Sequence, residues 1–214
     1  EVADEFGLTL IEDAAQALGA SLGNQACGSF GKAGIISFNN NKIVTGNGGG
    51  AVLTNDEWLA AKAHQLATTA RINHPWKVEH DAVGYNYRMG AVNGALACAQ
   101  MCRLPVFLVA KKALLTRYQA AIEGIKGVAL LKATEPWHGD PNYWLISLIF
   151  TYAGDRTSER DELLAELHAQ GIHARPLFTP LHLSPMYATC PRDTMQYAEN
   201  TFGRVVCLPS GFTV

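Results

Sequence analysis

The sequence carries no excess charge of either sign. Its 214 residues hold 17 Lys and Arg against 19 Asp and Glu, a formal net charge of −2. That balance, with a pI near 6.4, argues against binding nucleic acid or an anionic membrane through bulk charge. Long hydrophobic runs are missing too. The longest apolar stretches, such as 144–150 with Ser147 interrupting it, fall well short of the ~20 residues that span a bilayer. No basic-then-apolar segment opens the chain, so nothing suggests secretion. The five cysteines, Cys27, Cys98, Cys102, Cys190 and Cys207, are odd in number and scattered. Cys98 and Cys102 share a helical face, but no His stands nearby at ligand spacing, so we expect core thiols in a reducing compartment and no metal site. Cytoplasm is the default location. Neither the G-x-x-x-x-G-K-[ST] loop nor a G-x-G-x-x-G fingerprint after a first strand is present, and there are no repeats or low-complexity tracts.

What is present reads as an ordinary globular α/β chain, 48% hydrophobic and 17% charged, far from the composition of disorder. The chain starts at Glu1 without Met, and residues 1–6 look like the end of a helix feeding a strand. The run Leu8-Thr9-Leu10-Ile11, ended by Glu12-Asp13, predicts a buried strand. Residues 34–38 and 51–54 predict two more. Seven of the 20 glycines fall between 28 and 50, which implies tight turns and close backbone approach. A helix starts at Asn55-Asp56-Glu57 with Trp58, Leu59, Ala63, Leu66, Ala67 and Ala70 at helical spacing. Residues 91–103 suggest a buried helix broken by Pro105, and 107–123 a long amphipathic helix with Leu108, Leu115, Tyr118 and Ile122 inward.

The character changes near residue 125. Strands at 128–131, 143–152, 172–175 and 205–208 alternate with helices at about 159–170 and 193–203. Ser158 with Asp161 predicts a variant capping box, and Gly171 a C′ stop. We therefore expect a larger α/β layer over 1–112 followed by a small α/β domain over 113–214.

Three features cluster early. Asp13 ends a strand, where open α/β sheets place ligand groups. Ser37 ends the next strand, Lys42 follows within Ser37-Phe38-Asn39-Asn40-Asn41-Lys42, and Gly46-Asn47-Gly48-Gly49-Gly50 comes directly after. A carboxylate, a hydroxyl and a lysine on adjoining loops suit a ligand with a cationic ring nitrogen, an anion and an electrophilic carbonyl, as in pyridoxal 5′-phosphate (PLP). Plainer readings stand beside this one. Lys42 in an Asn-rich loop fits a solvated surface lysine, and Asp13 before Ala14-Ala15-Gln16 fits the N-cap of a following helix.

The segments 11–20, Gly28-Ser29-Phe30-Gly31 and 37–50, then Gly84-Tyr85-Asn86-Tyr87-Arg88-Met89, then Arg175-Pro176-Leu177 through Pro180-Leu181-His182, together resemble the DegT/DnrJ/EryC1/StrS sugar aminotransferases. The resemblance runs along essentially the whole chain, with five motifs in order. It implies the fold type I, aspartate aminotransferase-like architecture of PLP-dependent transferases, here part of the large-domain sheet plus a small C-terminal domain. A homodimer with shared active sites is also implied. By the same resemblance Lys42 is the Schiff-base lysine and proton shuttle, Asp13 pairs with the pyridinium nitrogen, Gln16 lies beside the ring and Ser37 bonds the phosphate. Asn86 would reach the phosphate of the partner subunit's cofactor. Tyr85, Arg88 and His182 fall in motifs near the substrate cleft, where a core aromatic, a surface ion pair and a loop cap are the plainer readings.

The implied reaction moves an amino group, with glutamate as donor, onto a nucleotide-linked 4-keto-6-deoxy sugar, for amino-sugar and surface-polysaccharide biosynthesis. A branch of the family with histidine at the lysine position dehydrates sugars instead, so Lys42 favours transamination. Residues 37–42 and 78–89 look most like members that make 4-amino sugars from UDP-linked N-acetyl precursors. Members of the family are longer, so the resemblance also implies a first strand, a phosphate-gripping Gly-Thr or Gly-Ser turn and a stacking aromatic upstream of Glu1, and a shorter piece after Val214. A sheet lacking that part would expose an edge and an apolar face. The alternative is a truncated, catalytically incomplete remnant serving as a binding or assembly module. A generic nucleotide binder of Rossmann type is a third reading, which the missing fingerprint disfavours.

Overall fold

The computed structural model describes residues 2–132 and 139–211; Glu1 and Val214, on which two of these expectations turn, lie outside the described residues. In chain order the elements are α1 (Val2–Glu5), β1 (Ile11–Asp13), β2 (Ser21–Leu22), β3 (Gln25–Ala26), β4 (Ala33–Ser37), β5 (Gly50–Leu53), α2 (Glu57–Ala67), α3 (Ala91–Met101), α4 (Leu104–Ile122), β6 (Val128–Leu130), β7 (Gly139–Asp140), β8 (Ser147–Phe150), α5 (Thr157–Ala169), β9 (Arg175–Pro176), α6 (Gln196–Phe202) and β10 (Val205–Cys207). They form two compact units, one of Glu1–Val109 with Thr134–Trp144, the other of Ala110–Ala133 with Leu145–Val214, the division falling inside α4.

In the first unit β1 runs parallel to β4, and β5 pairs antiparallel on the other side of β4. The first strand begins at Ile11, not at Leu8. Leu8 is spent closing α1, its N–H bonding Ala3 O while Gly7 N–H bonds Asp4 O, the paired bonds of a Schellman closure. β1 and β4 are also less covered than their apolar runs predict: Ile11 is 62% exposed and Ile35 38%. Register explains which face this is. Ile11 opposes Ala33, Asp13 opposes Ile35 and Ile35 opposes Val52, so these side chains share one face. A second small sheet, β3-β2-β7, brings residues 139–140 back beside 21–22.

α2 is capped by Asp56, whose side chain accepts the Leu59 N–H at 2.9 Å, as the Asn-Asp-Glu start suggests. Leu59, Ala63, Leu66 and Ala67 are half-buried, but Trp58 is exposed. α3 departs from expectation more clearly. Ala97 is its buried residue, Val92 is 84% exposed, and Cys98 and Cys102 are exposed rather than core. Its small side chains allow a close approach to the 45–46 backbone instead of filling a core. Pro105 sits inside the first turn of α4, where its missing N–H costs nothing, and α3 and α4 meet at a bend of 63°. No single helix among the described residues is long and apolar enough to cross a membrane.

The second unit is a four-stranded antiparallel sheet, β6-β8-β10-β9, with Ile146, Leu148, Val205 and Val206 buried. β8 is shorter than the apolar stretch 143–152, because residues 139–144 belong to the first unit. The capping box at Ser158 does not form. Asp155 instead takes bonds from Thr157 N–H and Oγ1, and α5 starts at Thr157, one residue before Ser158, with Arg156 at the N-cap position. Its end is as expected: Gly171 at φ 75° donates to His168 O and Ile172 N–H to Leu167 O. The α4 face contains one residue that apolar spacing does not anticipate. Lys111 is buried and donates from Nζ to Ser210 O at 2.7 Å, and burial pushes its ammonium down to about 8.

Candidate functional site

Asp13 and Ser37 lie at the C-terminal ends of neighbouring strands. Because Asp13 opposes Ile35, and Ser37 follows Ile35 by two residues, the carboxylate and the hydroxyl project from the same face. No helix follows Asp13. Its Oδ1 accepts the Ala15 N–H at 3.1 Å and residues 14–20 run as turns, so the helix-cap reading fails and the carboxylate stays exposed at the strand end.

The neighbouring residue, Glu12, anchors this edge. Its carboxylate accepts the N–H groups of Gly28, Phe30 and Gly31. Partial desolvation opposes ionisation there, but the bonds from Gly31, Gly28 and Phe30 outweigh it and hold the carboxyl below its usual range. The Gly28-Ser29-Phe30-Gly31 motif is therefore a turn that presents backbone donors to Glu12. It packs so closely that a Cβ on Gly34 would lie 2.0 Å from Gly28 O.

Lys42 is not a free surface lysine. Ile43 and Val44, directly after it, are buried. The loop is closed by Gly46 and Gly48 N–H bonds to Phe38 O. α3 holds it from the other side: Asn93 Nδ2 donates to Gly46 O at 2.6 Å and Gln100 Oε1 accepts from Thr45 N–H at 2.8 Å. Lys42 Nζ stands 4.0 Å from the centroid of the Trp144 ring. Burial pushes its ammonium below the ordinary 10.5, while the Asp13 carboxylate pulls the other way. A lysine that gives up its proton more readily than usual, with a carboxylate in its field, suits proton transfer.

Gln16 is exposed on the turn after Asp13, its carbonyl held by Asn142 Nδ2 at 2.8 Å. Ser37 Oγ accepts the Asn39 N–H at 3.2 Å. Asp13, Gln16, Ser37 and Lys42 thus gather at one edge of the sheet.

Tyr85, Asn86 and Arg88 gather elsewhere in the same unit, at the C-terminus of α2. Tyr85 N–H bonds Leu66 O, Tyr87 N–H bonds Ala67 O, and Thr69 N–H returns to Tyr85 O, so the 85–87 backbone satisfies carbonyls the helix leaves open. Gly84 makes this possible: a Cβ there would sit 2.3 Å from Thr69 C and 2.4 Å from Ala70 N. Tyr85 is exposed and stacks on Tyr87 at 5.1 Å, so it is not a core aromatic. Asn86 and Arg88 line a cleft of about 490 Å³ with Arg71, His64 and His74, a basic pocket whose lining does not include Asp13, Ser37 or Lys42. His182 lies in the second unit, in the short turn Leu181–Leu183, bonded to Glu199 Oε1 at 2.9 Å. No group of three or more His, Cys, Asp or Glu that could hold a metal ion occurs among the described residues.

Sequence reasoning passed over Glu12, Asn142 and Trp144. Glu12 stood one residue before the singled-out Asp13 and could have been paired with the glycine turn. Asn142 and Trp144 carried no local signal.

A family model of the DegT/DnrJ/EryC1/StrS aminotransferase family matches residues 1–214. The chain is 35% identical over 212 residues to EpsN of Bacillus subtilis strain 168, whose assignment as a pyridoxal phosphate-dependent aminotransferase is itself provisional; the match covers 97% of this chain and 53% of EpsN. It is 33% identical over 199 residues to the GDP-perosamine synthase of Caulobacter vibrioides, covering 93% of this chain and 53% of that one. Among solved structures, the aminotransferase TlmJ from Streptoalloteichus hindustanus superposes with a TM-score of 0.87 at 26% identity, covering 98% of this chain and 55% of TlmJ. DesI, solved in the presence of its TDP-sugar product, superposes with 0.82 at 30% identity, covering 98% and 52%. The chain thus spans about half the length of the curated relatives it matches.

Proposed function

We propose that this chain, which belongs to the DegT/DnrJ/EryC1/StrS aminotransferase family and has the α/β, fold type I architecture of its solved neighbours, carries the covalent centre of a PLP-dependent aminotransferase. The enzyme moves an amino group from an amino-acid donor, glutamate in our reading, to a nucleotide-linked 4-keto-6-deoxy sugar. One observation carries the proposal: Lys42 sits in an anchored, partly desolvated loop within the field of Asp13, on a sheet edge that also carries Ser37. That donor set fits PLP, offering an amine that can be neutral, a carboxylate for a ring nitrogen and a hydroxyl for an anion.

Bound there, PLP supplies a ring that takes up the electron pair left when a proton leaves the amino carbon. Lys42 Nζ is the group that holds and moves that proton. Asp13 would hold the ring nitrogen's positive charge, Gln16 would lie beside the ring, and Ser37 would donate its hydroxyl to the phosphate. Asn86 would reach the cofactor phosphate of a second subunit, so the enzyme is a homodimer in this reading, and we place it in the cytoplasm. Tyr85 and Arg88 are our candidates for contact with the sugar nucleotide.

Adding PLP to the protein and trapping with borohydride should fix one cofactor on the peptide carrying Lys42, read by mass spectrometry. Lys42→Ala should remove that label, and labelling that persists in Lys42→Ala would sink the proposal. A panel of GDP-, UDP- and dTDP-linked keto-sugars then tests the substrate class: amination at C4 is expected, and amination at C3 alone overturns that part.

A further inference from the structure

Segment 142–144 touches both loops of the site, although it lies about a hundred residues away in sequence. Asn142 is buried, and its Nδ2 donates to Gln16 O at 2.8 Å and Leu18 O at 2.9 Å. Its Oδ1 accepts the Trp144 N–H at 3.0 Å. Tyr143, between them, is held at φ 49°, a left-handed conformation that is strained for a non-glycine residue and persists only when its surroundings fix it. Trp144 Nε1 then donates to Asn41 O at 2.7 Å, and its ring faces Lys42 Nζ at 4.0 Å.

We propose that Asn142 and Trp144 are positioning residues, a clasp that ties the Asp13–Gln16 turn to the Lys42 loop and sets the place of Lys42 Nζ relative to Asp13. The assignment rests on Lys42 being the cofactor lysine. Three fixed points define the clasp. Asn142 spans the turn after Asp13 through two carbonyls. The left-handed Tyr143 turns the chain so that Trp144 faces the other way. Trp144 then fixes the backbone one residue before Lys42 and supplies a wall against which the amine lies. An aromatic face stabilises the ammonium form at close range and also excludes water from it, so the clasp governs both where Lys42 sits and when it loses its proton.

The test uses the holoenzyme and its PLP-free form. Trp144→Phe keeps a ring but loses the Nε1 bond to Asn41; one such bond, about 1 kcal/mol, corresponds to ~fivefold. We expect covalent capture of PLP on Lys42 to slow by about that factor and amide exchange at Lys42 to quicken. Trp144→Leu and Asn142→Ala should slow capture by roughly tenfold or more. Trp144→Leu should also move the pH midpoint of the bound cofactor's absorption change, which a loss of folding stability alone would leave in place. Capture and exchange both matching the parent in Trp144→Phe and Asn142→Ala overturn the clasp, whether or not Trp144→Leu folds. The unsubstituted protein separates the two readings: if it captures PLP and the variants match it, only the clasp falls, and if it captures none, both fall.

Discussion

Glu12 and Lys111 show how a single side chain couples folding to protons. The folded Glu12 carboxyl lies below its ordinary 4.5, so its contribution is fully present above that value and is lost as pH falls through the folded one. Glu12→Gln keeps the shape but loses the charge that three backbone N–H groups face, and urea unfolding at pH 7 should show a loss of about 1–2 kcal/mol. The difference between parent and variant should shrink as pH drops below 4.5. Lys111 has the opposite sense. Unfolded, it keeps its proton to 10.5; folded, it releases it near 8. Between those values the unfolded state binds more protons, so stability should rise with pH from 8 to 10.5. Lys111→Met should flatten that rise, as unfolding curves at pH 8 and 10 would reveal; an unchanged slope would contradict the burial argument. At this scale the sequence was legible where chemistry is local. Asp13, Ser37 and Lys42 stand at strand ends and in a loop that apolar runs delimit. Trp144 was not legible, because its partner Asn41 lies 103 residues away and no spacing rule encodes such a meeting; Glu12, one residue before Asp13, left only the glycine turn as a hint.

Among elements, the end of α2 shows the strongest dependence on backbone geometry. Thr69 and Ala70 both have positive φ, and the 85–87 strand of chain caps the helix through Gly84. Gly84→Ala would drive a methyl into the Thr69–Ala70 peptide and should cost about 2–4 kcal/mol. Thermal unfolding would measure that loss, and Asn86 and Arg88 should shift with it; a variant as stable as the parent would mean the contact gives way. Helices with cap signals and a 3.6 period were legible: Asp56 and Gly171 mark real boundaries. Ser158 misled because Asp155 already binds the Thr157 N–H, so the helix starts at Thr157 and leaves the Ser158 hydroxyl inside it. The strand at Leu8 misled for a similar reason, since closing α1 consumes the residues that the apolar run offered to a sheet.

For the molecule as a whole, the open face of β1, β4 and β5 has a direct consequence. Ile11, Ile35 and Val52 present apolar surface together, and contiguous exposed patches of this kind drive association. The 214-residue chain produced alone should therefore self-associate, and Val52→Lys should lower its sedimentation coefficient toward that of a monomer; a monomeric parent would show that the face is tolerated as it stands. The α/β class and the family were legible from ordered motifs. The burial of individual strands was not, because an apolar run reports what a strand can bury rather than what lies over it.

The capped end of α2 bears on how such a chain can diversify. Residues 70–84 leave the helix and return to it, with Ile72 N–H bonding Glu79 O inside the excursion and Thr69 N–H meeting Tyr85 O at its base. A loop pinned at its neck can grow at its tip for little free energy, since doubling its length adds only about 0.6 kcal/mol of closure entropy. The tip, around His74, Pro75 and Trp76, can therefore gain or lose residues while Asn86 and Arg88 keep their station. Lineages could rework the rim of the basic cleft there without disturbing the lysine and carboxylate in the loops after β1 and β4.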